Sequence, residues 1–160
     1  MISACFRTWP GGFSAGFQEE CTLTSGWVQG LAHDLLRLRK NLSAEGVAIL
    51  ADVDVKHSAP LAKRPIADEI EDVIKRGHAD AIIVSGSATG ASVDAEQLAE
   101  AVLVAGSTPV FIGSGATADS INALREQAAG FIVGTAVKSG GDVHNPVDPA
   151  RVREIASSIN

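Results

Sequence analysis

The chain has 160 residues, 46% of them apolar, with 16 glycines, two cysteines and a formal net charge of −6. That length suits one domain, and the composition excludes a disordered chain and a disulfide-dense secreted scaffold. The acidic balance argues against nucleic-acid binding, because no basic surplus neutralises phosphates.

Residues 1–20 show neither the helical nor the strand period and are rich in Gly, Ser and aromatics. Residues 1–21 are therefore expected to be an irregular N-terminal segment, ahead of one domain over residues 22–160. The opening MISACFRTWPGGFSAG lacks a basic start followed by a continuous apolar run, so a cytoplasmic location is expected. No run approaches the roughly 18 apolar residues of a membrane span, and no membrane insertion is expected.

Next comes an amphipathic stripe of Trp27, Leu31, Leu35, Leu38 and Leu42, capped by Thr24 or Ser25. Arg37, Arg39 and Lys40 read as the solvated face of that helix. From residue 46 onward, short apolar runs alternate with helical stretches. The runs are VAILADVDV (47–55), AIIVS (81–85), TPVFIG (108–113) and GFIVG (130–134). Unbroken runs of this length read as strands buried on both faces of a parallel sheet.

Helices fill the gaps at 3–4 residue spacing. Their stripes are Ile66, Ile70, Val73 and Ile74; Leu98, Val102 and Ala105; Ile121, Leu124 and Ala128; and Val152, Ile155 and Ile159. Gly77 fits a left-handed stop, Asp94 with Gln97 has capping-box spacing, and Asp148-Pro149 is an N-cap followed by a first-turn proline. The order α, then βα four times, predicts an α/β fold with right-handed crossovers. Its unit length is near the repeat expected when roughly 250 residues build eight units. The runner-up is an open doubly wound sheet of flavodoxin type, which needs a further strand from residues 1–22.

Ligands of parallel α/β folds bind beyond the carboxyl ends of the strands. The third strand runs into Gly113, Ser114 and Gly115 just before a helix, and the fourth into Gly134 and Thr135. Glycine lets backbone N–H groups approach an anion closely, so these five residues are candidate phosphate ligands. The competing reading is that the glycines only make tight turns. The first strand ends in Asp52-Val53-Asp54-Val55-Lys56-His57, where alternation sets Asp52, Asp54 and Lys56 on one face. Either an Asp–Lys pair closes the sheet there, or Asp52, Lys56 and His57 carry acid/base or Schiff-base chemistry.

The SGSATG loop (85–90) is a third glycine- and serine-rich turn, either a ligand cradle or a plain connection. His33, His78 and His144 read as structural or solvated. Cys5 and Cys21 have no neighbouring base in sequence and are not read as nucleophiles. No His, Cys or carboxylate grouping has metal-ligand spacing, so neither a metal nor a cofactor is expected.

The blocks TSGWVQGLAHDLLRLRK, ADVDVKHSAPL, ADAIIVSGSATG, FIGSGAT and FIVGTAVKSGGDVHNPVDPARV resemble, in order and spacing, those of the BtpA-like proteins. The resemblance runs from about residue 22 to the C-terminus. It implies half of a TIM barrel of the phosphate-binding type: the (βα)4 unit of strands five to eight, preceded by one helix. The family's DxxVKH block falls on Asp52, Lys56 and His57. Its phosphate-type loops fall on Gly113, Ser114, Gly115, Gly134 and Thr135. Ala88 stands where the family's GSGTG loop has glycine.

By resemblance the ligand is a phosphorylated sugar or nucleoside-like molecule, and the reaction that of a sugar-phosphate lyase or isomerase, or of a nucleosidase. The alternatives are a non-enzymatic biogenesis factor for photosystem I, or a chain without independent activity. A half-barrel leaves one side of its core open, so a homo-oligomer or a complementary half-barrel is the expected partner.

Overall fold

The computed structural model describes residues 3–5, 12–16, 21–23, 26–28, 32–53, 58–60, 64–86 and 93–159, with backbone alone for the segments before residue 32 and for 58–60. Along the chain lie β1 (Ser3–Cys5), β2 (Gly12–Gly16), β3 (Cys21–Leu23), β4 (Gly26–Val28), α1 (Ala32–Asn41), β5 (Ala48–Val53) and β6 (Ser58–Pro60). They are followed by α2 (Ile66–Lys75), β7 (Ala81–Val84), α3 (Ala95–Ala105), β8 (Val110–Ile112), α4 (Ala118–Leu124), β9 (Gly130–Val133) and α5 (Pro149–Ile159).

The four apolar runs become β5, β7, β8 and β9, parallel and adjacent in chain order. Period-two alternation divides their side chains between two faces. Ile49, Ala51, Val53, Ile82, Val84, Val110, Ile112, Phe131 and Val133 share one cluster with residues of all five helices. On the opposite face Ala48, Leu50, Ala81, Ile83 and Phe111 form a second buried cluster, with Ile132 against it. Gly130 makes room there: a Cβ on it would stand 2.5 Å from the Phe111 ring.

Strand order and helix placement bear on the two architectures considered. A doubly wound sheet reverses its strand order and carries helices on both faces. Here β5, β7, β8 and β9 follow one another in chain order and the described helices all pack on one face, while the further parallel strand that the second architecture needs is present as β2 beside β5, with β1 at the opposite edge beside β9. The fold is thus α/β with a four-stranded parallel core, compatible with a half-barrel.

Two strands extend that core where the sequence shows neither period. β2 pairs parallel with β5, and β1 pairs antiparallel with β9. Residues 12–16 read GFSAG and hold no β-branched residue, so the pairing comes from tertiary context rather than from propensity. β3, β4 and β6 make a separate antiparallel sheet.

Five expected details differ. The first helix begins at Ala32, while Trp27 sits in β4 opposite Thr22; Gly26 and Gly30 flank Trp27, and each costs a helix about 1 kcal/mol relative to alanine. Thr24, Ser25 and Leu31 lie outside the described residues. The inward face of α1 is Ala32, Leu35 and Leu36, leaving Leu38 and Leu42 exposed. At the end of α2 the left-handed residue is His78, at φ 50°, while buried Gly77 donates back to the Asp72 carbonyl. Asp94 caps α3 through the Glu96 N–H at 3.1 Å, one residue earlier than box spacing implies. Ser158 takes the buried place on α5 expected of Val152, which is exposed.

The amino ends of the strands are tied by one carboxylate. Asp80 Oδ2 accepts from the Ile49 N–H at 2.7 Å and from Arg39 at 3.3 Å, and Arg39 also reaches the Glu45 carbonyl at 2.7 Å. This clamp joins α1, β5 and β7 at the end of the sheet away from the glycine loops.

Candidate functional site

Each residue of the loop after β8 is held by a different constraint. A Cβ on Gly113 would stand 2.5 Å from both Ile83 Cγ2 and Ser85 Oγ, so glycine is required for the loop to lie on the end of β7. Its N–H donates to the Val84 carbonyl at 2.8 Å. Ser114 is buried, and its Oγ accepts from the Gly86 N–H at 2.9 Å, linking the ends of β7 and β8. Gly115 takes φ 70°, a conformation that favours glycine. Thr117 and Ser120 then form a reciprocal capping box on α4, and the Ser120 hydroxyl lies 3.2 Å from the Gly115 carbonyl. The loop is rigid by construction.

After β9 the requirement is different. Gly134 has φ −119°, and nothing lies within 4 Å of where its Cβ would stand. Neither packing nor a positive φ calls for glycine there; the space in front of it is open. Thr135–Val137 forms one 3-10 turn and delivers Lys138. Residues 138–148 then make a cross-braced loop, with Gly140 and Gly141 at φ 67° and 72°. Ser139 N–H donates to the Pro146 carbonyl at 3.0 Å, and Asn145 Nδ2 donates to the Ser139 carbonyl at 2.9 Å. His144 is exposed in this loop, its backbone N–H held by Asp142. Asp148 closes it by capping α5 through the Ala150 N–H at 2.8 Å. Arg151, in the first turn of α5, donates to the Ala136 carbonyl at 3.2 Å.

These two loops and the starts of α4 and α5 line an open cavity of about 680 Å³. All five residues expected to hold phosphate line it: Gly113, Ser114, Gly115, Gly134 and Thr135. Among the described residues no hydrogen bond engages the N–H groups of Gly115 or Ala116, two residues that line the cavity. Lys138 and Arg151 add two cations, Asp119 and Glu154 two carboxylates, and Thr117 a second threonine hydroxyl. Arg151, Glu154 and Ile155 share a face of α5 by their spacing of three and four.

Sequence reasoning missed Lys138, Arg151, Asp119 and Glu154. A signal for the cations was present, since each stands within one helical turn of a recognised punctuation point: Gly134 for Lys138, and Asp148-Pro149 for Arg151.

The second predicted group lies elsewhere. Asp52 is at the carboxyl end of β5, partly exposed, in register with Ile83 and on the Leu50 face of the sheet. It does not line the cavity. Asp54, Lys56 and His57 lie outside the described residues, as do residues 87–90 of the SGSATG loop. Ser85 and Gly86 of that loop are buried against the 113–115 turn. Among the described residues no three His, Cys or carboxylate side chains gather, and no helix is long and apolar enough to cross a membrane.

Residues 17–160 match the model of the BtpA family. The chain is 48% identical over 127 residues to the Photosystem I biogenesis protein BtpA of Synechocystis, covering 79% of this chain and 44% of that protein. It is 42% identical over 130 residues to an uncharacterised protein of Thermococcus kodakarensis, covering 81% and 48%. An uncharacterised mitochondrial protein of Caenorhabditis elegans is 36% identical over 146 residues, covering 91% and 52%. The chain therefore spans about half the length of the curated relatives it matches.

Proposed function

The chain belongs to the BtpA family, and from that premise we propose that it binds a phosphorylated sugar or nucleoside-like molecule between its two glycine loops. The carrying observation is convergence: residues 113–115, Gly134, Thr135, Lys138 and Arg151 surround one cavity. Phosphate sites of (β/α)₈ barrels recur at the loops after the last two strands, beside a short extra helix. On this reading β5, β7, β8 and β9 are strands five to eight, and the 3-10 turn Thr135–Val137 is that short helix. The chain order of β5, β7, β8 and β9 and the helices on a single face support the reading.

A thermal-shift series tests the site. A ligand that binds only the folded state raises Tm with its concentration. Millimolar inorganic phosphate or ribose 5-phosphate raises the Tm of the wild-type chain. Lys138→Met leaves the ligand-free Tm in place and removes most of the shift. An undiminished shift in Lys138→Met contradicts the assignment.

Asp52, Lys56 and His57 are the residues proposed for proton transfer or carbonyl chemistry. A desolvated lysine beside a carboxylate suits either role. Lys56→Met abolishes turnover of a sugar phosphate, and borohydride trapping distinguishes a Schiff base from an electrostatic role. The further proposal is that a second copy or a complementary half-barrel completes the core on the face of Ala48, Leu50, Ala81, Ile83 and Phe111.

The name of the Synechocystis relative favours a second reading, a non-enzymatic factor in photosystem I biogenesis. Complementation of a strain lacking that relative separates the two. Rescue by the Asp52→Asn/Lys56→Met variant favours the factor, and failure of that variant alongside wild-type rescue favours the enzyme.

A further inference from the structure

Resting on the phosphate site just proposed, we infer that its ligand is a polyol phosphate whose hydroxyl groups donate to Asp119 and Glu154. The wall of the cavity carries two cations, Lys138 and Arg151, and two carboxylates, Asp119 and Glu154, so its formal charge is balanced. Among the described residues none of the four is held in an ion pair with another. A site built for a bare oxyanion has no use for carboxylates, which repel it. An ionised carboxylate accepts hydrogen bonds and donates none, so its counterpart on a ligand must bring donors.

The placement of the charges matches a small sugar phosphate. Glu154 lies three residues after Arg151 on the same face of α5, and Asp119 is the second residue of α4, after the 113–117 turn. Glu154 thus stands beside Arg151 at about the 5–6 Å that separates side chains one helical turn apart, and both carboxylates are exposed to an incoming ligand. Thr135 adds a hydroxyl that both donates and accepts, a natural partner of a polyol, while the Thr117 hydroxyl is engaged with Ser120.

Two other ligand classes fit less well. Among the described residues no aromatic side chain lines the cavity, so a nucleobase finds no ring to stack on. A ligand ammonium would satisfy the carboxylates but would face Lys138 and Arg151 on the same wall.

Calorimetric titration of the full chain with inorganic phosphate, methyl phosphate, ribose 5-phosphate and phosphoethanolamine tests this. Hydrogen bonds to charged groups imply that ribose 5-phosphate binds at least about tenfold tighter than methyl phosphate. Glu154→Ala and Asp119→Ala each erase much of that advantage. The same two variants strengthen binding of inorganic phosphate, because a like charge has been removed. Opposite signs for the two ligands are a result that mere structural damage does not produce. Equal affinity for methyl phosphate and ribose 5-phosphate overturns the inference while leaving the phosphate site standing, as does tightest binding of phosphoethanolamine. Absence of binding by every phosphate overturns the site itself.

Discussion

Gly113 and Gly134 occupy equivalent places after consecutive strands, yet they are glycine for opposite reasons. A methyl group at Gly113 drives into Ile83 and Ser85, a contact between residues some thirty positions apart that no local pattern reveals. Gly113→Ala is therefore expected to cost about 1–3 kcal/mol, the usual penalty of overpacking, read as a lower urea midpoint. A methyl group at Gly134 meets nothing, so Gly134→Ala changes stability by no more than about 0.5 kcal/mol. It does place a methyl where the phosphate is proposed to approach, and phosphate affinity falls. Had Gly134→Ala bound phosphate as well as wild type, the open space before it would have no bearing on the ligand. The sequence marks both glycines as strand-end residues. Which one packs and which one opens onto the cavity depends on the neighbouring strand. Lys138 and Arg151 escaped notice for the same reason, since a lone basic residue says nothing until the fold sets two of them on one wall.

Among the elements, α4 is the one on which the site depends. It has seven residues, too few to be stable alone, and its reciprocal Thr117–Ser120 cap also reaches the Gly115 carbonyl. Thr117→Ala is expected to lower stability by about 1 kcal/mol and to weaken phosphate binding as well, because the same hydroxyl pair braces the loop. A stability loss with phosphate affinity intact would separate the cap from the site. In α2, the Arg64 guanidinium donates to Asp72 at 2.7 Å and holds that carboxyl below its ordinary 3.8, with Arg76 and Lys75 adding to the effect. A depressed folded-state pKa means the contribution is complete above 3.8 and is lost as pH falls through the lower folded value. Asp72→Asn should therefore flatten the acid limb of the stability profile below about pH 4 and leave the curve's shape near neutrality unchanged. The four strands and four later helices were legible because each holds a clean period between turn residues. The start of α1 was not, since Trp27 continues a helical stripe in sequence while the backbone at Gly26–Val28 pairs as a strand.

At the scale of the whole molecule, one face of the parallel sheet carries the helices and the other an apolar cluster of Ala48, Leu50, Ala81, Ile83 and Phe111. The alternation of strands and helices announced an α/β fold, but only pairing fixes a monotonic order and helices on a single face. The extra strand β2 was illegible because GFSAG has no strand signature apart from its partner β5. Glycine loops, cations and carboxylates come from two successive βα units of the chain and meet only at the carboxyl ends of β8 and β9. The Arg39–Asp80 clamp at the opposite end is far from that cavity in the fold, so Asp80→Ala is expected to cost about 1–2 kcal/mol of stability and leave phosphate affinity unchanged. The most direct test of the central claim is an amide NMR titration of the full chain with inorganic phosphate. The account predicts saturable shifts at Gly115, Ala116, Gly134 and Thr135 in the wild type, much reduced in Lys138→Met. Millimolar phosphate that moves none of these four amides contradicts it.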